Sequence, residues 1–195
     1  MRLSLTALTT PTAIPLTTAE AKRHLGVTDS DHDLDIDTLI KAAMNYIERR
    51  SGRTLLTTSY RLDLPCFPDR IELPKTPLES LTSIDYYDVD GNDTPLANYQ
   101  VWSSIDVPSY IVPAPSEVWP QTQAERIDAV RVVFDAGYGA TEATVPPEAK
   151  HAIKLLIRHW YDNPSAVIVG SISKEVEFAA DALIRSLGTG FYADV

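Results

Sequence analysis

The sequence lacks the features that define several large classes of protein. Cys66 is its only cysteine, so no disulfide can form within one chain, and we expect this thiol to be a packing residue in a protein made in a reducing cytoplasm. No apolar run approaches the roughly 18 residues that a membrane helix needs. The first residues have neither the apolar core nor the small-residue cleavage pattern of a signal peptide. These absences argue against a disulfide-rich secreted domain and against a membrane protein.

Positive charge is also scarce. The 195 residues include 17 Lys and Arg against 27 Asp and Glu, which gives a formal net charge of −10. A chain with this charge repels polyphosphate, so tight binding of nucleic acid is not expected. The same charge suits a surface past which DNA must slide without sticking.

Recognisable catalytic motifs are missing. No G-x-S-x-G nucleophile motif occurs, and Gly137-Tyr138-Gly139 lacks the third glycine of a dinucleotide fingerprint. No pair of histidines has the HExxH spacing that places two zinc ligands one helical turn apart. The histidines are His24, His32, His151 and His159. We therefore predict no catalytic, metal-binding or cofactor-binding residues, no cofactor, and a protein that is not an enzyme.

The densest set of potential oxygen ligands lies in VTDSDHDLDIDTLI, residues 27–40, where every second residue from Asp29 to Asp37 is an aspartate. An EF-hand loop counted from Asp29 would need Gly at the position of Leu34 and Glu at that of Ile40, so the calcium hypothesis fails. Aspartates before and within a first helical turn accept hydrogen bonds from the free backbone amides there, and they face the positive end of the helix dipole. We interpret the run as a helix start, and a metal-dependent enzyme using Asp29 to Asp37 is the alternative.

Apolar spacing and end signals predict four helices, over roughly residues 16–25, 33–50, 146–162 and 173–187. Thr17 and Glu20 form a capping box at the start of the first helix, and Gly52 is the expected C-cap of the second. In the fourth helix, Asp181 and Arg185 have the i, i+4 spacing of a charged pair.

Alternating apolar residues predict strands around residues 60–64, 71–73 and 130–134, and Asp90-Gly91 predicts a hairpin with a type I′ turn. The order of helices, strands and helices predicts an α+β fold, in which the N- and C-terminal helix pairs form one helical bundle with an inserted antiparallel β lobe. The expected divisions are an arm at 1–15, the bundle at 16–53 and 145–187, the lobe at 54–144 and a tail at 188–195.

Two groups of basic residues are candidate subunit contacts. The first group ends the second helix, where cations complement the helix dipole, and the second group forms a stripe on the third helix at intervals of four residues. The candidates are Arg49, Arg50, Arg53, Lys150, Lys154 and Arg158. They can meet an acidic neighbouring subunit, and the alternative is that they are solvated.

Five segments in this order resemble the head-tail connector (adaptor) proteins of tailed bacteriophages, especially the long form with a β insertion between helix pairs. They are PLTTAEAKRHLGV, LIKAAMNYIERRSGRTL, LPKTPLESLTSIDYYDVDG, VVFDAGYG and VPPEAKHAIKLLIRHWYDNP, and together they span residues 15–164. Related proteins occur in prophages and gene transfer agents.

The resemblance implies a structural protein of the virion neck, synthesised in the cytoplasm of the bacterial host. Its copies would form a ring, usually a dodecamer, that docks beneath the portal protein and extends the DNA channel without binding DNA specifically. Further partners would be stopper or tail-terminator proteins, and no membrane would be involved. The segment 165–195 would reach the portal, with Leu187, Phe191, Tyr192 and Val195 as candidate contacts. A stopper or tail-completion protein of the neck is the alternative.

Overall fold

The computed structural model describes residues 3–163 and 174–187. The chain divides into two compact units, which we call the sheet unit (Met1–Thr10 and Thr57–Gly137) and the helical unit (Pro11–Leu56 and Tyr138–Val195). Helices and antiparallel sheets in one chain confirm the predicted α+β class. The inserted segment runs from Thr57 to Gly137, somewhat shorter than the predicted 54–144.

The helical unit contains all four α-helices of the described residues. They are α1 (Thr18–Leu25), α2 (Asp33–Ser51), α3 (Pro147–Asp162) and α4 (Lys174–Ser186), and a short 3₁₀ turn spans Glu142–Thr144. None of these helices is both long enough and apolar enough to cross a membrane, within the part of the chain that is described.

Local sequence signals set the helix ends. The Thr17 hydroxyl accepts a hydrogen bond from the amide of Glu20 at 3.2 Å, which confirms the predicted N-cap. Gly52 ends α2 in the left-handed conformation with φ of 70°, as predicted. Gly26 ends α1 in the same way, with φ of 72°. A residue with a Cβ is strained at such a position, which explains glycine at both helix ends.

The four helices share one apolar core. Residues at the predicted spacing are buried on α2, α3 and α4, because steps of three and four keep side chains on one helix face. These residues are Ile36, Ile40, Ala43 and Ile47 of α2, Ala149, Ile153 and Leu156 of α3, and Ala180, Ile184 and Leu187 of α4 and its C-terminal end.

The sheet unit contains a five-stranded and a three-stranded sheet, both antiparallel, with strand orders β1-β2-β8-β4-β5 and β3-β7-β6. The strands are β1 (Ser4–Ala7), β2 (Thr58–Leu64), β3 (Ile71–Glu72), β4 (Leu78–Tyr87), β5 (Asp93–Pro95), β6 (Tyr99–Trp102), β7 (Tyr110–Pro113) and β8 (Val130–Ala136). Residues 1–15 were expected to form a separate arm, but β1 pairs with β2 from Ser4↔Asp63 to Ala7↔Tyr60 and forms the edge of the sheet.

The central strands β2 and β8 pack one face against a second apolar core. Leu62 pairs with Val132, and Tyr60 pairs with Phe134, with ring centroids 5.7 Å apart. All four side chains are buried. The period of two read from the sequence therefore predicted the buried face of these strands correctly.

The predicted hairpin joins β4 to β5, but its turn is not type I′. Only Gly91 has positive φ in this turn, at 85°, whereas a type I′ turn needs positive φ at both central residues. The amide of Gly91 donates to the Asp88 carbonyl at 3.0 Å, and the amide of Asp88 donates to the Asn92 carbonyl at 3.0 Å. The Asp88 carboxylate also accepts from the amides of Asp90 and Asn92, at 2.9 and 2.8 Å. These bonds favour a longer turn with one left-handed residue.

Candidate interaction surfaces

The basic stripe of α3 lies along α1 of the same chain. Arg158 donates to the Leu25 carbonyl at 3.1 Å and to the Asp162 carboxylate at 2.6 Å, and Lys154 lies 4.0 Å from the Glu20 carboxylate. Arg158 therefore binds a carbonyl at the C-terminal end of α1, where a cation also meets the negative end of the helix dipole. Lys154 and Arg158 therefore hold α1 against α3, and the side chain of Arg158 remains partly exposed.

The contact between α1 and α3 also lowers the affinity of His24 for a proton. Partial burial lowers the pKa of His24, and the positive charges of Lys154 and Arg158 lower it further. The neutral imidazole is therefore favoured in the folded chain.

The three arginines at the end of α2 have three different environments. Arg49 is exposed. Arg50 donates to both carboxylate oxygens of Asp181 on α4, each at 2.6 Å, and to Glu177 at 3.3 Å, and the hydrogen bond with Asp181 raises its pKa. Asp181 was predicted to pair with Arg185, and its carboxylate is instead bound by Arg50 of another helix.

Among the described residues, Arg53 is the largest side chain that is fully buried, at 0% exposed. Its guanidinium donates to the Tyr138 hydroxyl at 2.6 Å and lies 5.9 Å from the centre of the Tyr138 ring. The amide of Tyr138 also donates to the Leu55 carbonyl at 3.4 Å. Arg53 was predicted to contact another subunit, but it is internal in the helical unit, where it joins the two segments that flank the insertion.

The candidate portal contacts fall at the C-terminal end. Leu187 is 7% exposed and packs in the helical core, so its side chain is internal. Phe191, Tyr192 and Val195 lie outside the described residues. Sequence analysis missed Phe178, which is 79% exposed on α4. The signal was its position off the apolar stripe of that helix, because an aromatic residue there has no core to enter.

The aspartate run ties α2 to α1. Asp33 lies 2.7 Å from Lys22, and the Asp37 carboxylate accepts from the Thr18 hydroxyl at 2.6 Å. Asp33 and Asp35 lie in the first turn of α2, near the positive end of its dipole, while Asp29 accepts from the amide of Asp31 at 3.2 Å. Across residues 3–163 and 174–187, no group of three or more His, Cys, Asp or Glu residues is arranged to hold a metal ion.

Comparisons with known proteins agree with the resemblance read from the sequence. Residues 16–90, which include α1, α2 and β2 to β4, match the sequence model of the family described as "Phage gp6-like head-tail connector protein". No curated protein matches the chain.

Three solved structures contain chains of similar fold. Each is matched over 95% of this chain and 95% of its own length, with a TM-score of 0.75. Two are 24% identical, from "Neck of empty GTA particle computed with C6 symmetry" and "Virion of native gene transfer agent (GTA) particle". A third, from "Neck of native GTA particle computed with C12 symmetry", is 25% identical. The predicted resemblance to phage head-tail connector proteins is thus confirmed, by the family match over residues 16–90 and by the shared fold over nearly the whole chain.

Proposed function

We propose that this chain is a head-tail connector subunit in the neck of a tailed phage or phage-like particle. Its copies form a ring that joins head to tail and continues the DNA channel, and they catalyse no reaction. The observation that carries this proposal is the match of residues 16–90 to the head-tail connector family. The similarity of 95% of the chain to neck structures computed with C6 and C12 symmetry supports it.

A ring with cyclic symmetry needs two different surfaces on each subunit, because each copy contacts its neighbour head to tail. We infer that the terminal helix pairs form the ring-building bundle and that α2 supplies part of both surfaces. Exposed Asp29, Asp31 and Asp35 lie at its N-terminal end, and exposed Arg49 lies at its C-terminal end. Nineteen residues separate these ends by about 27 Å at 1.5 Å per residue.

Opposite charges at the two ends of one helix can pair between neighbouring copies. Besides Arg49, the half-buried Lys150 and the exposed part of Arg158 contribute positive charge to this contact. Arg50 contributes less, because its guanidinium is already bound to Asp181. DNA in the lumen meets a protein of net charge −10, so it has few fixed cations to bind and can move.

The C-terminal segment after α4 is the proposed contact with the portal protein. Gly188 and Gly190 precede Phe191 and Tyr192, and aromatic side chains are common anchors in protein interfaces. Stopper or tail-terminator proteins are the proposed partners on the tail side.

The function is tested by mixing the purified protein with the portal protein of its own particle and imaging the product by electron microscopy. We expect a ring of this chain on the portal, and we expect the chain in purified particles by mass spectrometry. A chain that stays monomeric with the portal and is absent from particles would refute the proposal.

Deletion of residues 188–195 tests the portal contact separately. The described helical core is made without residues 188–195, so the shortened protein should fold with unchanged circular dichroism and dock poorly. Normal docking of the shortened protein would remove the tail from the proposed interface and leave the connector role intact.

A further inference from the structure

One end of the five-stranded sheet forms a surface that takes no part in the ring and portal contacts proposed above. Leu64 and Tyr86 both pair with Val130, so the end of β2, the end of β4 and the start of β8 lie together. Thr58 and Leu78 pair with Ala136 at the opposite end, next to the points where the chain enters and leaves the unit. We call residues 65–70, 87–93 and 114–129 the distal end.

Hydrogen bonds and stacked rings hold the loops of the distal end in place. The backbone amide of Gln123 donates to the Tyr87 carbonyl at 3.0 Å, and the backbone amide of Tyr87 donates to the Ala129 carbonyl at 2.9 Å. The guanidinium of Arg126 lies 3.3 Å from the centre of the Tyr87 ring. On the other side, the Trp119 ring stacks on Phe67 with centroids 4.8 Å apart. The long loop is therefore fixed against the hairpin and against the segment after β2.

Three aliphatic side chains project from this fixed support. Val89 is 60% exposed, and Val118 and Ile127 are each 84% exposed. Two non-glycine residues of the loop, Ser116 and Glu125, have left-handed backbones with φ of 68° and 62°. Val118 lies two residues after the first of them, and Ile127 lies two residues after the second. Backbone strain of this kind is concentrated at functional sites.

Carboxylates flank these aliphatic residues in the sequence. The distal end contains seven Asp and Glu residues and two arginines, so it carries about half of the net charge of the chain. Arg126 pairs with Asp128, and Arg131 of β8 pairs with Asp93. The carboxylates outside these pairs are Asp69, Asp88, Asp90, Glu117 and Glu125. Cys66, predicted to pack, is instead exposed beside Phe67 in the same surface.

We propose that the distal end docks another protein of the particle, whose contacting surface has apolar depressions ringed by Lys and Arg. This inference rests on the proposed function. Exposed aliphatic side chains on a fixed support give a partner something to bury, and the uncompensated carboxylates select a basic partner. Nucleic acid and an anionic lipid surface are repelled by the same carboxylates. Contact with a second copy of this chain is the alternative outcome of the cross-linking test below.

The first test replaces the exposed aliphatic residues in assembled particles. We compare the double variant V118D/I127D with Leu8→Asp, a half-exposed aliphatic position at the opposite end of the same sheet, where the Leu8 amide donates to the Ser59 carbonyl. Neck composition is measured by mass spectrometry, with folding checked by circular dichroism.

We expect the Leu8→Asp particles to match wild type and the double variant to lose one other particle protein, or to be lost from the particle itself. Wild-type neck composition with V118D/I127D incorporated would overturn the inference. Absence of the wild-type chain from particles would instead refute the connector role, so the two failures are distinguishable.

The second test needs no variant and therefore does not depend on folding of the double mutant. A carbodiimide joins carboxylates to lysine amines in direct contact, and it is applied to wild-type particles. We expect cross-links from Asp90, Glu117 or Glu125 to a lysine of a different protein. Cross-links from these residues only to a second copy of this chain, or none at all, would overturn the proposed partner chemistry.

Discussion

Replacing Tyr138 by Phe tests how much the Tyr138 hydroxyl contributes to the stability of the buried Arg53. The change removes one oxygen, which accepts from the Arg53 guanidinium at 2.6 Å, and keeps the ring that lies 5.9 Å from it. The backbone bond from Tyr138 to Leu55 is also kept. The perturbation therefore includes the loss of a charge-assisted hydrogen bond inside the helical unit.

The expected loss follows from the environment of the guanidinium. A hydrogen bond to a charged group contributes about 1.5–3 kcal/mol, more than a neutral bond, because the charge on the donor strengthens its attraction to the acceptor. The ring itself is unchanged in Phe, so its packing is kept. We therefore expect Tyr138→Phe to lower the free energy of unfolding of the helical unit by about 1.5–2 kcal/mol.

The assay is urea denaturation followed by far-ultraviolet circular dichroism. Because α1 to α4 all belong to the helical unit, the helical signal reports the unfolding of that unit. The control is Tyr161→Phe in α3, where the hydroxyl makes no hydrogen bond with a described residue. A double-mutant cycle with Arg53→Met should give a coupling energy of similar size. Equal stabilities for Tyr138→Phe and the control, within about 0.5 kcal/mol, would refute the reasoning.

Two further predictions concern the packing of α4 and the chain after β8. Arg50→Ala removes the contacts with α4 and should lower the free energy of unfolding by about 0.5–1 kcal/mol, because the pair is partly exposed. Hydrogen exchange should become faster in α4 and not in α1. The control Arg49→Ala, at an exposed position, should change neither the stability nor the exchange, and equal exchange in both variants would contradict the role of Arg50. Gly139→Ala should destabilise the protein by about 1–3 kcal/mol, because φ is 140° and an added Cβ would lie 2.7 Å from the Thr144 hydroxyl. The control Gly26→Ala, where an added Cβ meets no atom within 4 Å, should cost less. Thermal unfolding of both variants measures the difference, and the reverse order would contradict the steric argument.

Periodicity and end signals in the sequence predicted the local structure well. The helix boundaries agree with the predicted ranges to within about two residues. Capping at Thr17 and Gly52 is present as predicted. Segment order and motif resemblance together also predicted the α+β class and the similarity to connector proteins. These features depend on neighbouring residues, so a linear reading finds them.

Contacts between distant residues were not predictable in the same way. The arginines near the end of α2 look equivalent in sequence, yet one is exposed, one binds α4 and one is buried beside Tyr138. Similarly, the alternating apolar pattern of β1 is too short to distinguish an arm from an edge strand until β2 is available as its partner.

The sequence by itself determined where helices and strands form, because backbone propensity, capping and apolar spacing act over a few residues. Only the tertiary structure decided which charges are internal and which are exposed, because the energy of a charge depends on the groups and solvent around it. For that reason Arg53 became part of the interior, while Val118 and Ile127 became a surface with a proposed function.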